Sequence, residues 1–265
     1  MQLFDCHVHA VVKKDFEVYN KTSKATKWLN IRSIDIEELL KPYDFEEFQD
    51  IENMYFLDSV NLDKVEQELE KVEEDLQKYK RIVGVKIYLG YQHYYGNDKR
   101  VEKVILFAQK HNLTVTFHCG EIFNENSESE FSPYSDAKHL EVFVKKYPDV
   151  NFVVSHLNWD NFEAVFKMCQ EYDNVFTDFS GCNDGETEDA RVAQNLKIKG
   201  IIESYQAKYP KIIEKIMYGT DFFASCDEYN DVSSYLALVN ILDIDKQKKD
   251  DIMINTSLKA YPKLR

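Results

Sequence analysis

The sequence predicts an α/β protein, a (β/α)8 TIM barrel distorted by an irregular insertion after its first strand. Apolar, strand-like runs alternate with amphipathic segments along most of the chain, the pattern of parallel strands joined by crossover helices. The length of 265 residues suits a closed barrel better than an open doubly wound sheet. Several strand-like runs also end in a His or Asp just ahead of a loop, as expected if those ends share one face.

The first strand covers residues 3–10. The polar and aromatic stretch that follows, to about residue 50, has no clear period; residues 34–40 read as a short helix ended ahead of Pro42, and a second strand is hidden nearby. Residues 54–57 form an apolar run. In 61–80, Leu62, Val65, Leu69, Val72 and Leu76 recur at spacings of three and four, which predicts an amphipathic helix. Further strands are predicted at 82–88, 113–118, 150–156, 175–179 and 216–222, with helices near 98–111, 135–147, 160–172, 187–209, 231–241 and 246–260. No linker, repeat or low-complexity stretch divides the chain, so 1–265 reads as a single domain.

A hydrophobic fraction of 44% with 17 Tyr and 17 Phe provides for a large core and rules out a disordered chain. The net charge of −14 argues against a nucleic-acid partner, because this surface repels polyanions. No apolar run approaches the roughly 20 residues of a membrane span and no leader-like start is seen, so the expected setting is cytoplasmic, with no membrane partner. Neither a Gly-X-Gly-X-X-Gly turn nor a phosphate-binding loop occurs. The cysteines, Cys6, Cys119, Cys169, Cys182 and Cys226, are odd in number and scattered, which predicts free thiols. Strand alternation predicts that Cys6 faces away from His7 and His9, and Cys119 away from His118.

Residues two apart on a strand point the same way, so His7 and His9 aim two imidazoles at one point. Taken alone the pair is compatible with two core or surface histidines. In a (β/α)8 barrel, however, His118, His156 and Asp221 would meet them at the carboxyl ends of the strands. Neutral imidazoles with a carboxylate form a ligand set for a divalent ion.

The ordered set Asp5-Cys6-His7-Val8-His9, Gly84-Val85-Lys86-Ile87-Tyr88, His118, His156, Asp178-Phe179-Ser180-Gly181, Gly219-Thr220-Asp221 and Ile254-Asn255 resembles the amidohydrolase superfamily. The resemblance is to its amidohydrolase-2 branch, which includes aminocarboxymuconate-semialdehyde decarboxylase and metal-dependent hydrolases. It implies that His7, His9, His118 and Asp221 hold one divalent ion, zinc or else manganese, with an open position for water. It also places His156 outside direct coordination as the proton-handling group. Asp221 would then bind the ion through one oxygen and take a proton through the other.

Lys86 is read as an unmodified polar residue contacting a substrate carboxylate or oxyanion; an internal ion pair and a carbamylated, two-metal form are the alternatives. Tyr88 and Tyr91 are candidates for substrate contact, the latter in an aromatic loop, 91–95, suited to a lid. Arg32 is the candidate for a substrate carboxylate, since a guanidinium matches that geometry. Glu121, Glu125, Glu128 and Glu130 read as a solvated acidic face. His111 and His139 fall on helices and stay outside the site.

Three functions follow. The first is hydrolysis of a small amide, lactone or ester by metal-bound hydroxide. The second is nonoxidative decarboxylation of an unsaturated or aromatic carboxylate by the same residues. The third is a catalytically silent ligand-binding barrel. The expected partner is a small-molecule substrate, and the resemblance suggests a homodimer.

Overall fold

The computed structural model describes residues 2–36, 40–123, 129–183, 185–223 and 232–264. Its strands are β1 (Phe4–His9), β2 (Lys27–Ile31), β3 (Met54–Ser59), β4 (Ile82–Ile87), β5 (Thr114–Phe117), β6 (Glu121–Phe123), β7 (Ser129–Phe131), β8 (Phe152–Val154), β9 (Val175–Asp178), β10 (Ile216–Met217) and β11 (Phe222–Phe223). Among the described strands β6 and β7 pair antiparallel, and the others join one parallel sheet in the order β10-β9-β8-β5-β4-β3-β2-β1-β11.

The ends of that order, β10 and β11, are separated by only four residues of chain, so the sheet must curl until its edges meet. β10 pairs with β9, and β11 pairs with β1. Between them the Cys6 N–H donates to the Tyr218 carbonyl at 3.0 Å and the Asp221 N–H to the His7 carbonyl at 2.9 Å. Together β10 and β11 are the eighth strand of a (β/α)8 barrel, and Asp221 lies in the seam.

The hidden second strand is β2. Helix Lys13–Thr22 leads to it, burying Phe16 and Tyr19 on one face. The connection after strand 1 is therefore a regular helical crossover, not the predicted irregular insertion. The irregular stretch follows β2 instead. There Ile36 and Leu40 form an antiparallel bridge where a helix was expected, with residues 37–39 outside the described set. Tyr43, Phe45 and Phe48 are buried in this stretch, and their packing replaces helix periodicity as its organising principle. The segment predicted as a helix over 135–147 is helical only at Glu141–Lys146, after two short 3-10 turns.

Inside the barrel, Phe4, Leu29, Ile31, Leu57, Val83, Val153, Phe176 and Met217 form a cluster sealed below by Ala260, Tyr261 and Leu264. Thr114 Oγ1 donates to the Ala260 carbonyl at 2.6 Å, and Thr116 Oγ1 meets Tyr261 Oη at 2.9 Å, which fixes this plug. Cys6 belongs to the inner cluster as well. The prediction that it faces away from His7 and His9 fails because the pairing of β1 with β2 shifts register between Asp5 and Val8, breaking strict alternation. Cys119, in contrast, packs in the outer core between sheet and helices. Cys6, Cys119, Cys169 and Cys182 are free and buried; Cys226 lies outside the described residues.

Asp5 ties the seam together. Its carboxylate accepts Tyr19 Oη and Thr220 Oγ1 at 2.7 Å each and the N–H groups of His7 and Thr220 at 3.1 Å each. Burial pushes its pKa up to about 7 against these donors.

Arg32 joins β2 to the outer helix Val65–Lys78. Its guanidinium meets Asp58 at 2.7 Å and Asp75 at 3.0 Å and lies 4.4 Å from the centroid of the Phe45 ring. Burial raises the Asp58 pKa to about 6, with Arg32 opposing the rise. A carboxyl raised above its ordinary value contributes stability that is complete below about pH 4 and lost as pH rises through about 6. Arg32→Met leaves Asp58 buried without its cation and is expected to cost about 3–5 kcal/mol at pH 7, and less at pH 4, where Asp58 is neutral. Denaturant unfolding at the two pH values measures both.

Candidate metal centre

His7 and His9 end β1, His118 follows β5, His156 follows β8, and Asp221 sits in the seam, so all five reach the same end of the barrel. Asp221 Oδ1 lies 3.2 Å from His7 Nε2 and 3.3 Å from His9 Nε2. His118 Nδ1 lies 3.1 Å from His156 Nε2. The ligand atoms of His7, His156 and Asp221 all fall within 4.8 Å of one another. His9 joins this group through Asp221, and His118 through His156. Geometry thus sets His156 as close to the centre as the expected ligands.

The outward nitrogens are held by oxygen. His7 Nδ1 is 2.9 Å from Ser180 Oγ, and His9 Nδ1 is 3.0 Å from Ser33 Oγ. His118 Nε2 donates to the Glu121 carbonyl at 2.9 Å, and His156 Nδ1 donates to the Ser180 carbonyl at 2.8 Å. Protons on the outer nitrogens leave lone pairs on the inner ones, which is the orientation metal-binding histidines need. His118 Nδ1 and His156 Nε2 face each other at 3.1 Å, a contact that a shared proton or a nearby cation would satisfy. Ligand bonds of about 2.0–2.1 Å in a tetrahedron put ligand atoms about 3.3 Å apart, close to the separations seen. The residues fit a divalent ion.

Electrostatics agree. Burial lowers the His7 pKa to about 3, with Lys86 adding to the effect. Burial likewise lowers His9, and lowers His118 well below the usual range. These imidazoles are neutral at pH 7 and free to ligate. Burial opposes the charges on Asp178 and Asp221, but for Asp178 it is outweighed by His7, His156 and Ser180, and for Asp221 by His7, His156 and His9. Both carboxyls are held well below their ordinary range.

Local backbone shape delivers two of these groups. Asp221 has φ +60°, a left-handed conformation that Asp tolerates better than most residues. His156, Leu157 and Asn158 form a run at φ +61°, +51° and +55°. Such residues cost about 1–3 kcal/mol each unless the surroundings hold them. Here Asn158 accepts the Ala137 N–H at 2.9 Å and donates to the Asn161 carbonyl at 2.7 Å, while the His156 N–H donates to Asp178 at 3.2 Å. Gly181, at φ +65°, is required for a different reason: a Cβ there would stand 2.8 Å from Asp221 Oδ2 and 3.2 Å from His156 Nδ1.

The remaining expectations divide. Tyr88 and Tyr91 line the pocket with His9, His118, His156 and Asp221. Tyr88 also donates to Ser33 at 2.9 Å and so steadies the partner of His9, while Tyr91 Oη accepts the Phe123 N–H at 3.1 Å. Tyr95 turns away to pack on Tyr134 and His139, so residues 91–95 do not act together as a lid. Lys86 is fully buried beneath the site, 3.3 Å from His7 Nε2 and 3.1 Å from Ser155 Oγ, and is not among the pocket-lining residues. Burial lowers its pKa to about 8.

Arg32 does not reach the pocket, because its guanidinium is committed to Asp58 and Asp75. Glu121, read from sequence as part of a solvated face, lines the pocket, whereas Glu130 is exposed; Glu125 and Glu128 lie outside the described residues. Sequence reasoning missed Ser33, Ser180 and Gly181 as supports. The last two stood in the Asp178-Phe179-Ser180-Gly181 segment of the resemblance, directly after the seventh barrel strand, but with no role attached.

Ser180 Oγ contacts His7 Nδ1, His156 Nδ1 and Asp178 Oδ1 at once. Ser180→Ala is expected to weaken metal affinity by about 10–100-fold, read by competition with a chromophoric chelator.

A sequence profile described as amidohydrolase matches residues 50–263. A search of curated proteins returned no match. Among solved structures, the chain is similar to an uncharacterised TIM-barrel protein from Bordetella bronchiseptica, at 11% identity and TM-score 0.73 over 99% of both chains. It is similar to an amidohydrolase from Burkholderia multivorans with bound zinc, at 10% identity and TM-score 0.68, again over 99% of both. It also resembles a 5-carboxyvanillate decarboxylase from Novosphingobium aromaticivorans, complexed with manganese and 4-hydroxy-3-methoxy-5-nitrobenzoic acid, at 12% identity and TM-score 0.64 over 96% of this chain and 80% of that one. The profile spans most of the sequence and the barrel aligns along its full length; this chain belongs to the amidohydrolase family.

Proposed function

We propose that this chain is a metal-dependent hydrolase acting on a small amide, lactone or ester, with His7, His9, His118 and Asp221 holding one divalent ion, zinc or manganese. The observation that carries the reading is the division of labour within Asp221. Its Oδ1 faces His7 and His9 at 3.2 and 3.3 Å, and its Oδ2 faces His156 Nδ1 at 3.9 Å across the space that Gly181 leaves open. A divalent ion held there supplies Lewis acidity and lowers the pKa of water to near 7.

The chain's own groups do the rest. Asp221 Oδ2 accepts a proton from the attacking water, because Oδ1 is engaged and the carboxyl is ionised. His156 keeps its Nδ1 proton on the Ser180 carbonyl, which leaves Nε2 to receive or return a proton at the leaving group. Tyr88 and Tyr91 hold the substrate body against the pocket wall. The zinc-bound and manganese-bound neighbours support a divalent ion, each of its own kind.

Decarboxylation is the second reading, supported by the likeness to a decarboxylase fold. There His156 would deliver a proton to the carbon that loses carbon dioxide.

Purified protein is expected to carry one divalent ion per chain, and chelation to abolish turnover until zinc or manganese is restored. Hydrolysis in 18O-labelled water should place one label in the product acid; carbon dioxide release with no label in the organic product would replace hydrolysis with decarboxylation. His156→Asn is expected to keep the metal and lower kcat by about 10²–10⁴-fold, whereas Asp221→Asn should lower both. Loss of metal from the His156 variant would instead move His156 into the ligand set.

A further inference from the structure

The loop after β9 is tied to the helix Glu188–Gln206 by carboxamides. Asn183 Nδ2 donates to Asn195 Oδ1 at 2.7 Å and to the Arg191 carbonyl at 3.0 Å, and Asn195 Nδ2 carries the tie on to the Ser234 carbonyl at 2.8 Å. Both asparagines are buried, and holding the helix against the loop accounts for them. Gln194 differs. It is half-buried, lines the pocket with His156, Gly181 and Asp221, and makes one hydrogen bond among the described residues, from Nε2 to the Cys182 carbonyl at 3.0 Å.

That bond fixes which way the carboxamide points. A carbonyl oxygen only accepts, so the nitrogen must face Cys182 and Oε1 must turn away from it. No described residue donates to Oε1, and solvent reaches it. The anchor is one residue from Gly181, where a Cβ would stand 2.8 Å from Asp221 Oδ2, so the acceptor is fastened to the loop that shapes the centre. A tethered amide has already given up much of its rotamer freedom, so a donor on a bound molecule meets it at little further entropic cost. A molecule without a donor strips water from Oε1 and leaves it unpaired.

We propose that Gln194 is a specificity-determining residue: its Oε1 accepts a hydrogen bond from an uncharged O–H or N–H on the substrate, favouring hydroxylated or amide-bearing substrates over those with only C–H or halogen at that place. The reaction it would serve rests on the hydrolase reading; the selection itself is measured by binding, apart from turnover.

The probes are the α-, meta- and para-hydroxy derivatives of phenylacetohydroxamate, each paired with the fluoro analogue, which is close in size and cannot donate. In calorimetric titration of metal-loaded protein, at least one hydroxy compound is expected to bind about three- to tenfold more tightly than its fluoro partner. Gln194→Met should bring that ratio to about one. A merely structural tether would weaken both members of the pair alike and leave the ratio unchanged. The fluoro comparison on the unsubstituted protein tests the need for a donor even where the variant fails to fold. Dihydrocoumarin tests turnover in parallel: its survival intact beside a Gln194-dependent ratio would count against the hydrolase reading alone. No hydroxy compound binding more tightly than its fluoro partner, a ratio that survives Gln194→Met, or failure of every hydroxamate to bind would overturn the proposal.

Discussion

The structure depends on closing the barrel across a broken eighth strand. β10 and β11 each contribute two residues of pairing, too little to hold a seam without help. Asp5 provides it, gathering Tyr19 from the first helix, Thr220 from the seam and the His7 backbone onto one carboxylate. The same break frees Asp221 to adopt its left-handed backbone and swing its carboxylate between His7 and His9. Closure of the fold and assembly of the centre therefore use neighbouring residues of one seam.

Burial then sets the chemistry. Removing water disfavours charge on an imidazole, so His7, His9 and His118 remain neutral. The same burial would neutralise Asp178 and Asp221 were it not for the histidines and Ser180 around them. Ser33, Ser180 and the Glu121 carbonyl fix which nitrogen of each ring points inward. Neutral donors and anionic oxygen therefore coexist at pH 7, as a divalent ion requires.

Legibility in the sequence followed the strength of the local signal. The strands ending at His118, His156 and Asp221 were readable because apolar runs stop at polar residues, and most helices were readable from their spacing. β2 was not, because Lys27-Trp28-Leu29-Asn30-Ile31 mixes polar and apolar residues within a stretch that has no period. Arg32 illustrates the limit for side chains: its type suits a substrate carboxylate, but Asp75, on a distant helix, claims it. Cys6 illustrates the limit for the backbone, since a register shift with β2 turns it inward despite alternation.

By itself the sequence determined the barrel class and the set of ligand-type residues, because periodicity and strand-end chemistry are local properties. Only the tertiary structure decided which oxygen supports each imidazole, that His156 stands as near the centre as the proposed ligands, and that no Lys or Arg is among the described pocket-lining residues. Those facts depend on residues brought together from strands far apart in the chain. Their contacts are made by closure, and no window of sequence contains them.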